Sequence, residues 1–188
     1  MSNPRIIAGK ARGHRLQAVP GDITRPITDR VKEALFNILA NDIQDAHFLD
    51  MFGGTGSVGI EALSRGAAYA RFLDVHRSAV DTIKKNLSRT QLQGLADVVL
   101  TDAFQYLQRP PDHTFHYVYI APPQYKQLWQ KAIRTLDENP AWMAPDVWVI
   151  VQIDPLEYEA ISLQSLHEFD QRRYGSTLLV FYEPTAEP

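Results

Sequence analysis

The chain has 188 residues, 45% of them hydrophobic and 22% charged, and a formal net charge of −3. That length fits one domain with at most a short appendage, and that composition excludes wholesale disorder. The absence of cysteine excludes a disulfide scaffold, a Cys-ligated zinc site and a thiol nucleophile, leaving chemistry to oxygen, nitrogen and backbone groups.

Charge is unevenly spread: residues 1–32 carry seven Lys or Arg against two Asp, a net of +5, and the remainder carries −8. A basic arm on an acidic body offers a polyanion a landing surface, although an ordinary solvated segment has the same composition. Residues 5–8 and 16–19 flank Gly9 and Gly13, which predicts a small ribbon with Lys10, Arg12, His14 and Arg15 near its tip. Thr28 stands where it can cap a helix over 28–40, in which Val31, Ala34, Leu35 and Ile38 share an apolar face.

From Ala46 the pattern alternates. Strands are predicted at 46–51, 69–75, 96–100, 115–120 and 147–153. Between them lie helices marked by Ile60 and Leu63, by Ala79, Ile83 and Leu87, by residues 103–107, and by Leu128, Ala132, Ile133 and Leu136. Such alternation predicts parallel strands with covering helices. The extended runs 165–173 and 177–182, joined around Tyr174-Gly175-Ser176, predict an antiparallel hairpin at one sheet edge. The expected organisation is a basic arm or ribbon over 1–27, a doubly wound α/β domain over 28–183 and a frayed tail over 184–188. No apolar run approaches the roughly 18 residues of a membrane span, and the N-terminus lacks a signal-peptide core, so a cytoplasmic protein is expected.

The stretch Asp50-Met51-Phe52-Gly53-Gly54-Thr55-Gly56-Ser57-Val58-Gly59 lies between a predicted strand and a predicted helix. Glycines there permit unusual backbone angles and let a ligand lie against main-chain N–H groups, which points to a nucleoside cofactor. Asp74 ends the second strand 24 residues after Asp50, at the interval where an acidic side chain accepts both hydroxyls of a ribose. Asp102 ends the third strand, within reach of an adenine amino group, and Asp50 is placed to meet an ammonium or sulfonium. Three carboxylates along one edge favour a net cationic cofactor, S-adenosylmethionine over NAD. Each of them alone is equally an ordinary helix cap.

These residues resemble the RsmD-like 16S rRNA (guanine-N2)-methyltransferases, within the Rossmann-like S-adenosylmethionine-dependent methyltransferases. The resemblance covers nearly the whole chain and is most specific over residues 25–37, Asp50 to Gly56 and Glu61 to Ala67. It implies a mostly parallel seven-stranded sheet with a reversed last hairpin. It places Asp50, Phe52, Gly53, Gly54, Thr55 and Gly56 on the methionine and ribose, with Thr28 closing the methionine end. Asp74 and Val75 fall beside the ribose, and Asp102 and Ala103 near adenine. It also turns Arg5, Lys10, Arg12, Arg15, Arg25 and Arg30 toward rRNA, where phosphate contacts position without reading sequence. The implied substrate is small-subunit rRNA; a single small domain with a short arm offers little surface for reading sequence, so an assembled 30S particle is expected. The protein is expected to be a monomer with no membrane contact.

The loop after the fourth strand departs from the family pattern of Asp or Asn, two prolines and an aromatic. Here it reads Ala121-Pro122-Pro123-Gln124-Tyr125, with no acceptor side chain first and the aromatic one place late. An exocyclic amine is a poor nucleophile, because its lone pair is delocalised into the ring, and acceptors that orient its hydrogens help it toward the methyl carbon. Loop carbonyls, stiffened by Pro122 and Pro123, remain as acceptors, Gln124 adds an amide, and Tyr125 is either a stacking platform for an everted base or a core aromatic beside Trp129. Two other readings stay open: a catalytically impaired ribosome-assembly protein that keeps the cofactor fold, and an adenine-N6 DNA methyltransferase. The six histidines show no helix-face pairing of the kind that binds zinc, so no metal is expected.

Overall fold

The computed structural model describes residues 3–21 and 26–186. The first helix, α1 (Asp29–Leu39), starts where its cap was predicted: Thr28 Oγ1 accepts from the Val31 N–H at 3.3 Å. Its buried side is Val31, Leu35, Phe36 and Leu39. Thereafter strands β1 (His47–Asp50), β2 (Tyr69–Asp74), β3 (Ala96–Leu100), β4 (Phe115–Ile120) and β5 (Met143–Ile153) alternate with α2 (Ser57–Ser64), α3 (Arg77–Arg89), α4 (Ala103–Leu107) and α5 (Leu128–Asp137). The chain closes with the hairpin β6 (Leu166–Tyr174) and β7 (Thr177–Pro184).

The seven strands lie in the order β3-β2-β1-β4-β5-β7-β6. Strands β1 to β5 pair in parallel, and β7 is antiparallel to both β5 and β6. This is the doubly wound, mostly parallel sheet with a reversed last hairpin expected from the sequence. Successive strand residues feed opposite faces. Phe48, Phe72, Tyr117, Tyr119, Ile150 and Phe181 pack in the core shared with α1, α2 and α3, whereas Leu49, Leu73, Val118, Val149, Val151 and Val180 pack in the core shared with α4 and α5. Both faces are covered, so the central strands are apolar without alternation. Each fully buried Leu, Ile, Val or Phe contributes roughly 1.5–3 kcal/mol.

Two boundaries differ from the sequence reading. β5 begins at Met143 rather than Val147, because Met143 pairs with Phe115 across a register irregularity while Pro145 and Asp146 stand out to solvent and interrupt the apolar run. The expected tail is partly strand: Pro184 pairs with Leu166, and the Thr185 N–H donates to Ser165 O at 2.9 Å. The hairpin turn is the pair Gly175-Ser176, with Tyr174 and Thr177 facing each other, and Gly175 takes φ +58°.

The N-terminal ribbon exists as one antiparallel bridge, Arg5 to Arg15, flanked by Ile6 N–H to His14 O (2.9 Å) and Leu16 N–H to Pro4 O (2.7 Å). It is not a loose arm, since Ile6, Ala11 and Leu16 are buried in the core under α1 and α2. The carboxylate of Glu61, fully buried on α2, accepts from the Ile7 and Ala8 N–H groups at 2.9 and 3.1 Å and from Arg65 Nε at 2.8 Å. Lys32 Nζ lies 3.3 Å from the same carboxylate and donates to Arg5 O and to Ser57 Oγ. Burial pulls the Lys32 ammonium below its usual range, and the Glu61 charge opposes that shift. The fit is close at Gly9, where a Cβ would lie 1.8 Å from the Ser64 carbonyl oxygen, whereas at Gly13 it would meet nothing within 4 Å. Both take similar left-handed angles, φ +85° and +87°. Gly13→Ala is therefore expected to cost about 1 kcal/mol and Gly9→Ala at least about 3 kcal/mol, a difference read by chemical denaturation of the two variants.

Candidate active site

The strand order reverses between β1 and β4: the chain moves outward from β1 through β2 to β3, then returns to β4 on the other side of β1. The crevice at the carboxyl ends of these strands is where open α/β sheets bind ligands. The loops that bound it are 51–56 after β1, 75–76 after β2, 101–102 after β3 and 121–127 after β4.

The glycine turn is shaped by backbone hydrogen bonds to its neighbours. Met51 N–H donates to Tyr119 O (3.0 Å), Gly53 N–H to Leu73 O (2.8 Å) and Gly56 N–H to Gly53 O (2.8 Å). A Cβ on Gly53 would stand 2.6 Å from Ile83 Cδ1, so a side chain there requires that terminal methyl of α3 to shift. Gly54 differs: its φ is +56°, and a Cβ there would meet nothing within 4 Å. Thr55 is held from below by Asn86, a buried residue of α3 whose Nδ2 donates to Thr55 O (2.9 Å) and to Gln17 O (3.1 Å).

The three strand-end carboxylates occupy different states. Asp50 is 2% exposed, and its Oδ1 has no hydrogen-bond partner. Burial pushes its carboxyl up to about 7; the Phe52 N–H opposes the shift and the Asp74 charge adds to it. Asp74 is half-buried, with Oδ2 accepting from the Gly54 N–H (3.0 Å) and Oδ1 from the His76 N–H (2.9 Å). Asp102 caps α4, its Oδ1 accepting from Phe104 and Gln105 N–H groups at 2.8 and 3.1 Å. Val75 is exposed beside Asp74, Ala103 is buried, and Phe52 packs edge-on to Phe104 at 6.2 Å. Tyr119, buried beside Asp50 in the β1–β4 register, donates its hydroxyl to Gln152 on β5, and burial raises its phenol well above the usual range.

After β4, Ala121, Pro122 and Pro123 are half-buried and residues 124–127 are exposed. Tyr125 is not a core aromatic: it is 66% exposed, while Trp129 is buried. Its N–H donates to Glu157 Oε1 at 2.7 Å and its hydroxyl to Asp154 Oδ2 at 3.0 Å. These acidic partners follow β5 and were missed in the sequence, although Asp154-Pro155-Leu156-Glu157 carries the signature of a capping box, which the structure forms.

The candidate RNA residues Arg5, Lys10, Arg12, Arg15 and Arg30 are all exposed, and Arg5 is paired with Asp29 at 2.8 Å. Thr28, exposed, is occupied as the cap of α1. Arg25 lies outside the described residues. Among the described residues no group of three or more His, Asp or Glu is arranged to hold a metal ion, and no helix is long and apolar enough to cross a membrane.

The family model described as conserved hypothetical protein 95 matches residues 4–183. Ribosomal RNA small subunit methyltransferase D of Escherichia coli strain K12 is 40% identical over 149 residues, covering 79% of this chain and 73% of that protein. The protein of the same name from Haemophilus influenzae is 37% identical over 152 residues, covering 80% and 78%. The solved structure "Putative methyltransferase yhhF from Escherichia coli" superposes with a TM-score of 0.86 at 33% identity, over 98% of this chain and 99% of that one. A match from residue 4 to residue 183, with relatives of this identity and coverage, means that the chain belongs to the conserved hypothetical protein 95 family, the RsmD-like methyltransferases.

Proposed function

We propose that the protein transfers a methyl group from S-adenosylmethionine to the exocyclic N2 of a guanine in small-subunit (16S) rRNA. The observation that carries the cofactor is the buried Asp50 carboxyl with an unpartnered Oδ1, at the mouth of a glycine turn and beside a second carboxylate. A cationic ammonium or sulfonium fits that atom, and a phosphate does not. The rRNA substrate is supported by the family and by the activity that the relatives' names state.

In this reading Asp50, Phe52, Gly53, Gly54, Thr55 and Gly56 hold the methionine and ribose portions, with Thr28 at the methionine end. Asp74 and Val75 hold the ribose, and Asp102 and Ala103 the adenine. S-adenosylmethionine supplies an electrophilic methyl carbon on sulfur. The protein's own part is to orient the guanine amine. Ala121 has no acceptor side chain, so the carbonyls of Ala121 and Pro122, stiffened by two fixed φ angles, accept hydrogen bonds from the amine, and Gln124 adds an exposed amide. As N–CH3 forms, the S–CH3 bond breaks to leave S-adenosylhomocysteine, and the amine proton passes to water. Tyr125 stacks on the everted base, a contact worth about 1–3 kcal/mol. Arg5, Lys10, Arg12, Arg15, Arg25 and Arg30 meet phosphates. The enzyme acts as a cytoplasmic monomer on an assembled 30S particle, because one small domain offers little surface for reading sequence.

Purified protein incubated with labelled S-adenosylmethionine and small subunits lacking their methyl groups is expected to yield N2-methylguanosine on digestion. Cofactor binding without transfer to subunits, naked rRNA or DNA would instead mean that Ala121 has ended the chemistry; N6-methyladenine in the DNA arm would move the target. In calorimetry, Asp74→Ala and Gly54→Val are expected to weaken cofactor binding at least about tenfold in folded protein, through loss of a polar contact and intrusion of a side chain.

Asp50 gives the binding a pH dependence. A cation prefers the carboxylate, so affinity is expected to fall about tenfold per pH unit below 7 and to level off above 8. Stability has the opposite sign: the folded protein holds the Asp50 proton from the ordinary 3.8 up to about 7. Its contribution is thus lost by about 1.4 kcal/mol per unit as pH rises through that window. Asp50→Asn is expected to flatten both profiles, in calorimetry and in thermal melts, while binding cofactor poorly at every pH.

A further inference from the structure

Leu156 is 87% exposed and Tyr125 is 66% exposed, the two most exposed large apolar side chains among the described residues. They sit on different loops, yet one carboxylate ties them together. Asp154 Oδ1 accepts from the Leu156 N–H at 2.9 Å, and Asp154 Oδ2 accepts from the Tyr125 hydroxyl at 3.0 Å. Glu157 closes the arrangement, with Oε1 on the Tyr125 N–H at 2.7 Å and Oε2 on the Asp154 N–H at 3.4 Å. Tyr125 takes φ +62°, a left-handed angle uncommon for an aromatic residue and here held at both ends of the residue. The turn that carries Leu156 follows β5, which lies next to β4 and one strand further from β1. Asp50, the loop 121–127 and Leu156 therefore follow one another along a single sheet edge.

We infer that Leu156 contacts the substrate, forming with Tyr125 an apolar pair that receives the target base, and that Asp154 is the positioning residue that sets the pair. The inference rests on the reading that the substrate is rRNA, and it deepens that reading. Burial in the fold does not account for Leu156, and a nucleobase is a flat, weakly polar surface suited to two apolar side chains at the rim of a methyl-transfer site. The anchoring of Tyr125 to the turn after β5 also offers a physical role for the extra residue, Gln124, which moves the aromatic one place along the loop.

The test measures affinity for small subunits lacking their methyl groups in the presence of S-adenosylhomocysteine, so that the readout does not depend on turnover. Leu156→Ala is expected to weaken that affinity at least about fivefold, with melting temperature and cofactor affinity unchanged, and Leu156→Met is expected to restore it. Asp154→Asn and Tyr125→Phe are each expected to raise KM for the subunit more than they lower kcat, and the double variant is expected to be no worse than the weaker single one. Wild-type binding that Leu156→Ala leaves unchanged overturns the inference alone. Wild-type protein that binds no subunits overturns the functional reading, and the inference falls with it.

Discussion

The carboxylate of Glu61 is the contact around which the functional half of the molecule is arranged. It is fully buried on α2 and takes two backbone N–H groups of the ribbon, Arg65 and Lys32, so that α1, α2 and residues 5–8 meet at one point. Its two oxygens are satisfied by four donors, which offsets the cost of removing the charge from water. Lys32 extends the same network to Ser57, the first residue of α2, where the glycine turn ends. Asn86 makes a second tie, between Gln17 at the ribbon exit and Thr55 in the turn. The basic ribbon is thus set against the turn by two buried polar contacts.

A parallel sheet with both faces covered leaves its strand ends as the place where polar groups collect. Asp50, Asp74 and Asp102 all stand there, and the fold treats each differently. Asp102 and Asp74 are held by backbone N–H groups, and of the three only Asp50 has a buried oxygen that no protein group satisfies. A carboxyl so placed is destabilising when ionised, and its retention makes physical sense where a ligand of opposite charge completes it.

Much of this was readable in the chain because it depends on local pattern. The βα alternation predicted the sheet, Thr28 predicted the start of α1, and the three strand-end aspartates were found by their place after apolar runs. Contacts between distant segments were not readable in the same way. Glu61 was visible as part of a motif, but its partners lie more than fifty residues away in the ribbon, and no periodicity encodes that pairing. The ribbon itself was expected from residues 5–8 and 16–19, but its seating in the core was not, because its three buried residues, Ile6, Ala11 and Leu16, are too few to give a period. Asp154 and Glu157 lie between two predicted strands where no element was expected, although their spacing is that of a cap.

The sheet is open, and β6 forms one of its two edges. An exposed strand of nine residues would ordinarily be a template for another chain. Here the pairing of β6 with β7 slips between Glu168 and Asp170, and the strand carries His167, Glu168, Asp170, Arg172 and Arg173. A neighbouring strand would meet an irregular ladder and charges of both signs. The same hairpin that completes the core thereby discourages edge-to-edge association and leaves the strand-end face clear of a second copy.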